Sequence, residues 1–243
     1  MDLSQLSLRT GARLGAWCWA VAAPLFLAAN VITGLGWHHP AYSWATDNIS
    51  DLGNVHCGMW DTTRPRQVCS PWHPLMNTSI VLTAVLLAAG LILTWRTLGH
   101  GFLVRLAQSL LLLAAVGYVL AGRFPADVDE NLHFLGALLI MVMGNLGLPL
   151  AGFAPRATVL GRLRALTLIA GVTALAGAVL FFGQRGLGVG VGAMERVAVF
   201  PLTSWCCCVG VVLLAKTHRA RTAGRPGTGG IGVRTLGEAA DRG

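Results

Sequence analysis

A small set of histidines and carboxylates in this sequence has the chemistry of a metal-assisted hydrolase. His73 and His133, with Asp127 or with Asp129 four positions before the second histidine, are candidate zinc ligands, because catalytic zinc takes imidazole and carboxylate donors. Asp51 and Glu195 are candidate general bases for a water bound to that ion. These residues predict cleavage of a lipid or of another molecule of the cell envelope.

The same polar stretches also fit a membrane protein that binds without catalysis. Short hydroxyl, amide and carboxylate side chains hold turns by bonding to nearby backbone, and they bind a lipid headgroup, a small ligand or a membrane partner through the same kind of hydrogen bond. Of the two functions, binding is the prediction and metal-dependent hydrolysis is the alternative. The candidate binding residues are Asn48, Ser50, Asn77, Asp127 and Arg196.

Composition places these residues in a membrane protein. The chain has 243 residues, of which 54% are apolar and 12% are charged, and its mean hydropathy is +0.64. Six apolar runs reach the length of about 20 residues that a helix needs to cross a bilayer. The predicted fold is therefore an all-α bundle of six transmembrane helices. The runs are 16–35, 75–95, 103–121, 134–153, 163–182 and 197–215.

The placement of charge predicts the orientation of this bundle. Arg and Lys are retained on the cytoplasmic side of short loops, so we expect both termini in the cytoplasm of a bacterium and the bundle in its plasma (inner) membrane. The formal charge of +8 is accordingly a topology signal that favours membrane lipid, and not nucleic acid, as the partner. Of the 18 basic residues, those on the side opposite the amino terminus are Arg64, Arg66, Arg123, Arg185 and Arg196.

The chain divides into three parts. Residues 1–12 are a polar cytoplasmic lead, and residues 13–216 form the transmembrane domain with an outward loop at 37–72. Residues 217–243 are rich in Gly and Arg without apolar periodicity, which predicts a disordered basic cytoplasmic tail.

Two of the six cysteines, Cys57 and Cys69, fall in the outward loop, on the side of the membrane that permits oxidation. A disulfide and two free thiols are equally compatible with the sequence. The other four, Cys18 and the run at 206–208, lie within apolar runs and are expected to pack as small apolar side chains.

Four motifs in fixed order resemble the bacterial membrane family known as domain of unknown function 998. They are NISDLG at 48–53, HPLMN at 73–77, FPAD at 124–127 followed by HFLGA at 133–137, and GAMER at 192–196. The resemblance covers about residues 11–215 and implies six helices and an uncharacterised role. Residues 54–72 look like an insertion that the family pattern does not require.

A more distant resemblance connects the chain with the transmembrane hydrolases that include alkaline ceramidases and adiponectin-type receptors. That superfamily uses Ser, Asp and three His around zinc, and Ser50, Asp51, His73 and His133 match these residue types. The last apolar run lacks the histidine pair of that superfamily, and six runs stand where it has seven helices. Zinc is the cofactor of the hydrolase hypothesis, and the binding hypothesis leaves the cofactor unspecified.

Topology brings the polar stretches to one end of the predicted bundle. Each lies at the outer end of a crossing or in the adjoining loop, and the cost of charge in lipid turns such side chains inward, so we predict one outward-facing polar pocket. Its formation requires the first, second, fourth and sixth helices to adjoin a common axis. The residues predicted to meet there are Asn48, Asp51, His73, Asn77, Asp127, His133 and Glu195.

Overall fold

The computed structural model describes residues 3–223, with side chains described for residues 10–216. Within that part of the chain, six helices are long and apolar enough to cross a membrane, which confirms the predicted all-α bundle of six transmembrane helices. The spans are Thr10–Leu35, His73–Thr94, Phe102–Arg123, Glu130–Gly152, Arg164–Phe182 and Val191–Lys216.

Eight α-helices, numbered here in chain order, build the described bundle. The fourth span consists of two of them, separated by a π-helical turn at Leu139–Gly144. A further short helix leads into the fifth span. The bounds are α1 Leu3–Leu35, α2 His73–Thr94, α3 Phe102–Arg123, α4 Glu130–Leu138, α5 Asn145–Gly152, α6 Val159–Arg162, α7 Arg164–Phe182 and α8 Val191–Ala223.

Local sequence signals start several of these helices. Pro74 occupies the first turn of α2, where its missing N–H removes no intrahelical hydrogen bond. Asp129 caps α4, since its Oδ1 accepts from the backbone N–H of Leu132 at 3.0 Å. Thr158 caps α6 in the same way, accepting from Gly161 N at 3.1 Å.

The first and last helices extend past their predicted ends. Helix α1 begins at Leu3, so its first turns occupy most of the predicted lead at 1–12. Helix α8 continues to Ala223, because the Ala, Lys and Arg residues that follow the last span are good helix formers. The rest of the tail predicted to be disordered lies outside the described residues.

Glycines allow the helices to approach one another closely. Gly15 of α1 faces the backbone oxygen of Gly90 in α2, and Gly210 of α8 faces the backbone oxygen of Ala16 in α1. Gly177 of α7 meets the backbone of α8. Such small faces permit tight van der Waals packing in lipid. Helix α1 is thus packed between α2 and α8, and α7 packs on α8 and α5.

Residues 36–72 fold over one end of the bundle, which we call the loop end. They contain a two-stranded antiparallel sheet of β1, Gly58–Trp60, and β2, Arg66–Val68, in which Trp60 lies opposite Arg66. Cys57 and Cys69, directly before and after the strands, form a disulfide. The sequence analysis missed the sheet, because strands of three residues are too short to display the alternation of a strand.

Candidate functional site

Asp51 is the buried centre of the loop end. It lies in a 3-10 turn at Ser50–Gly53 and is fully buried. Its Oδ2 accepts from the backbone N–H of Asn48 at 2.7 Å, and Arg66 donates from Nε to Oδ2 at 2.7 Å and from Nη2 to Oδ1 at 2.5 Å. This bidentate pair supplies the counter-charge that a buried carboxylate needs. Asp51 therefore anchors β2 to the NISDLG turn.

Arg66 also contacts a second carboxylate. Its Nη1 donates to Asp61 Oδ2 at 2.8 Å and to the carbonyl of Arg64 at 3.1 Å. Burial alone would lower the pKa of Arg66, but the hydrogen bonds and charges of Asp51 and Asp61 outweigh it and raise that pKa. Burial works to raise the pKa of Asp61, yet the bond from Arg66 and two backbone N–H groups hold it below its ordinary value. The bonds of Arg66 to Asp51 and Asp61 thus hold the sheet in place.

Arg196 fastens the loop to the first turns of α8. Its Nη1 donates to the carbonyls of Asp47 at 2.9 Å and Gly192 at 2.7 Å, and its Nη2 donates to the Tyr42 hydroxyl. The guanidinium also lies over the rings of Tyr42 and Trp44, at 5.4 and 5.3 Å from their centroids, in cation–π contact. Burial raises the pKa of Tyr42 above its usual range, so its hydroxyl remains neutral. Arg196 is a positioning residue for the loop.

Glu195, the neighbour of Arg196, contacts the same loop from the first turns of α8. It is 5% exposed, and its Oε2 accepts from the backbone N–H of Ile49 in the NISDLG segment. Arg64 binds the same segment from the sheet side, donating Nη2 to Asn48 Oδ1 at 2.6 Å. The segment is therefore held from α8 and from the sheet at once.

The start of α2 is joined to the same turn. Asn77 Nδ2 donates to the carbonyl of Gly53 at 2.8 Å, and the Ser70 hydroxyl donates to the carbonyl of Leu52 at 2.7 Å. His73 Nδ1 lies 3.0 Å from the carbonyl of Ser70. His73 and Asn77 thus hold local backbone at the junction of loop and helix.

Asp127 connects the loop with the turn between α3 and α4. Its Oδ2 accepts from the backbone N–H groups of Val55 at 2.8 Å and His56 at 2.6 Å, and the His56 Nδ1 lies 3.0 Å away. The Asp127 side chain is 5% exposed, whereas that of His56 is 73% exposed. A carboxylate that accepts several backbone N–H groups makes strong, charge-assisted hydrogen bonds. Asp127 therefore fixes the loop to the turn between α3 and α4.

The predicted metal ligands are not grouped as a ligand set. His133 Nδ1 lies 3.0 Å from the carbonyl of Phe124, His73 bonds to Ser70 as described, and Asp129 caps α4. Between residues 10 and 216, no three His, Cys, Asp or Glu side chains are arranged to hold a metal ion. As placed, these side chains do not form a zinc ligand set, so zinc binding stays a prediction from the sequence alone.

A cleft opens at the loop end between the start of α4, the end of α7 and the start of α8. Its volume is about 370 Å³, and the sheet forms one of its walls. Its polar and aromatic lining residues are Asn48, Ser50, Trp60, Asp61, Thr63, Arg66, Glu130, His133, Phe134, Phe181, Phe182, Gln184 and Glu195. The cleft thus combines polar groups with aromatic rings, as small-molecule sites do.

Aromatic rings join α4 to α7 beside this cleft. Helix α4 packs on α3, whereas α7 packs on α8 and α5. The rings of Phe134 and Phe182 meet edge to face with centroids 5.9 Å apart, and Phe181 and Phe182 meet at 5.5 Å. Phe134 is 51% exposed on the outer surface of α4. The aromatic wall therefore reaches from the cleft to the apolar surface of the bundle.

The structure brings together some of the predicted site residues. Asn48, Ser50, His133 and Glu195 line the cleft. The predicted residues that hold the surrounding backbone and are not among the lining residues are Asp51, His73, Asn77, Asp127, Asp129 and Arg196.

The sequence analysis missed the residues that the loop and the helix ends contribute. The two cysteines of the outward loop could have indicated the sheet residues, since a disulfide brings the segments beside it together. The three phenylalanines sit in apolar runs where nothing distinguishes them from lipid-facing ones. The missed residues are Tyr42, His56, Trp60, Asp61, Arg64, Arg66, Phe134, Phe181 and Phe182.

Comparison with known proteins identifies the family but no activity. The model of the family described as "Protein of unknown function (DUF998)" matches residues 20–233. No curated protein and no solved structure matches the chain.

Proposed function

Since this chain belongs to the DUF998 family, whose description assigns no function, we propose that it is a multi-pass membrane protein that binds the polar headgroup of a membrane amphiphile in the cleft at the loop end. The observation that carries the proposal is the composition of the cleft, whose lining combines polar groups, of which Glu195 is deeply buried, with aromatic rings. That arrangement matches a molecule with a polar head and an apolar tail.

The position of the aromatic wall supports a route for the tail. Phe134 and Phe182 lie on two helices that are not packed along their length, and Leu135 and Val179 continue the exposed apolar surface at 45% and 72% exposure. A tail that leaves the cleft here stays in contact with apolar side chains, so its burial from water is retained. The head is then held beside Glu195 and His133.

Binding is favoured over hydrolysis by what the candidate catalytic groups already do. Asp51 is engaged by Arg66 and Asn48, and His73 is bonded to Ser70. The proposal is therefore a binding protein that uses the cleft without a metal-dependent step.

The Arg distribution supports the loop end facing away from the cytoplasm, in a bacterial inner membrane. The disulfide that closes the sheet at this end agrees with an oxidising compartment. A cytoplasmic reporter fused after Ala223 is expected to be active and a periplasmic one inactive. The opposite pattern contradicts this orientation.

Native mass spectrometry of the purified protein tests the binding site. The variant Ala137→Trp places a large ring at a residue that lines the cleft, and Ala176→Trp places the same ring on the exposed, lipid-facing surface of α7. We expect co-purified lipid adducts on the wild type and on Ala176→Trp and their loss from Ala137→Trp. Equal adducts on all three proteins would contradict the proposed site.

A further inference from the structure

The charges around the cleft indicate the chemistry of the headgroup, given the amphiphile site proposed above. Three carboxylates and one guanidinium line it: Asp61 is paired with Arg66, whereas Glu130 and Glu195 have no cationic partner among the lining residues. We infer that the headgroup recognised in this cleft carries an ammonium group. The inference rests on the proposed function and specifies its ligand class.

The one cation among the lining residues is already occupied. A guanidinium has five N–H donors, and Arg66 makes four hydrogen bonds, two to Asp51 and one each to Asp61 and the carbonyl of Arg64. Its charge is matched by Asp51, outside the cleft lining, and by Asp61 within it. An anionic headgroup would therefore meet carboxylates without a free cation to bind it.

The cleft also offers acceptor atoms to a ligand, beside the N–H and O–H groups of Asn48, Ser50, Trp60, Thr63 and Gln184. His133 bonds to a carbonyl through Nδ1, which makes that nitrogen the donor and leaves Nε2 as the acceptor in the neutral ring. Glu130 is exposed at the cleft, and Glu195 lies deeper, 5% exposed. An ammonium group offers only donors and a positive charge, so it complements this set.

The aromatic wall adds a second, independent preference for a cation. Trp60 on β1 and three phenylalanines at 134, 181 and 182 line the same cleft. Ring faces attract ammonium groups, and Trp gives the strongest attraction of the aromatic residues. The carboxylates and the aromatic rings of the lining thus favour the same headgroup charge.

Lipids that differ only in headgroup test the inference. Native mass spectrometry titrations would compare phosphatidylethanolamine with phosphatidylglycerol of identical acyl chains on the purified full chain. We expect the wild type to bind the ethanolamine lipid about tenfold more tightly, the scale of one hydrogen bond to a charged group.

Two isosteric variants and a control locate the effect. Glu130→Gln and Glu195→Gln are each expected to reduce this preference several-fold, because they remove a carboxylate charge but keep the shape and the acceptor of the side chain. Asp47→Asn is the control, since it removes a charge at the loop end from a residue outside the cleft lining. It is expected to keep the preference.

The outcomes separate the ligand class from the site. Equal binding of both lipids, abolished by Ala137→Trp, would overturn the ammonium inference and leave the cleft as an amphiphile site. A preference for phosphatidylglycerol would overturn it in the same way. Lipid binding that Ala137→Trp does not change would overturn the site as well.

Discussion

Arg66 of β2 and Asp51 of the NISDLG turn form a bidentate ion pair, in which the two side chains are only 10% and 0% exposed. The pair joins β2 to the NISDLG turn, which Glu195 holds from α8. Because Arg66 also lines the cleft, one interaction sets both the position of the loop and one wall of the candidate site.

Arg66→Ala is expected to destabilise the protein strongly. Removal of the guanidinium leaves the Asp51 carboxylate buried without its counter-charge, which costs about 3–5 kcal/mol. Thermal unfolding in detergent measures the loss, with Arg185→Ala at an exposed position of the loop end as the matched control. Equal, small shifts in Tm for the two variants would show that the ion pair does not stabilise the loop.

Reduction of the Cys57–Cys69 disulfide is expected to lower stability and to loosen the wall of the cleft. The bond joins residues 12 apart, and closing a loop of that size contributes about 3 kcal/mol through the unfolded state. The double variant Cys57→Ser/Cys69→Ser should unfold at a lower temperature than the wild type and should not respond to reductant. Full labelling of both thiols in unreduced native protein would show that the bond is absent.

Asp61 is expected to make the loop acid-sensitive. Burial acts to raise the pKa of Asp61. The bonds from Arg66 and from backbone N–H groups outweigh burial and hold the folded pKa below the ordinary value of 3.8. A depressed folded pKa contributes stability above the unfolded pKa, and this contribution is lost as the pH falls through the folded value. Asp61→Asn should therefore have a lower Tm than the wild type above the unfolded pKa. This difference in Tm should become smaller at pH values below about 3.8. A constant difference across that range contradicts the assignment.

The six helices follow from the sequence because a membrane span needs only length and apolar composition, both of which are local properties. The clustering of Asn48, Ser50, His133 and Glu195 follows from topology in part, since each lies at the same end of a span or in the loop that adjoins it. The ion pairs of Arg66 and the hydrogen bond of Arg64 to Asn48 do not, because they depend on how a loop of irregular structure folds back over the helices. The aromatic wall depends on the separation of α4 from α7, which hydropathy does not encode.

Photolabelling in native membranes is the most direct test of the proposed headgroup site. A phospholipid with a photoreactive diazirine close to its headgroup would be crosslinked to the wild type and to Ala137→Trp, and the modified peptides mapped by mass spectrometry. We expect labels on the wild type to concentrate at the ends of α4 and α7 around Phe134 and Phe181, and to be lost there in Ala137→Trp. Labels spread evenly over the lipid-facing helices of both proteins would contradict the site.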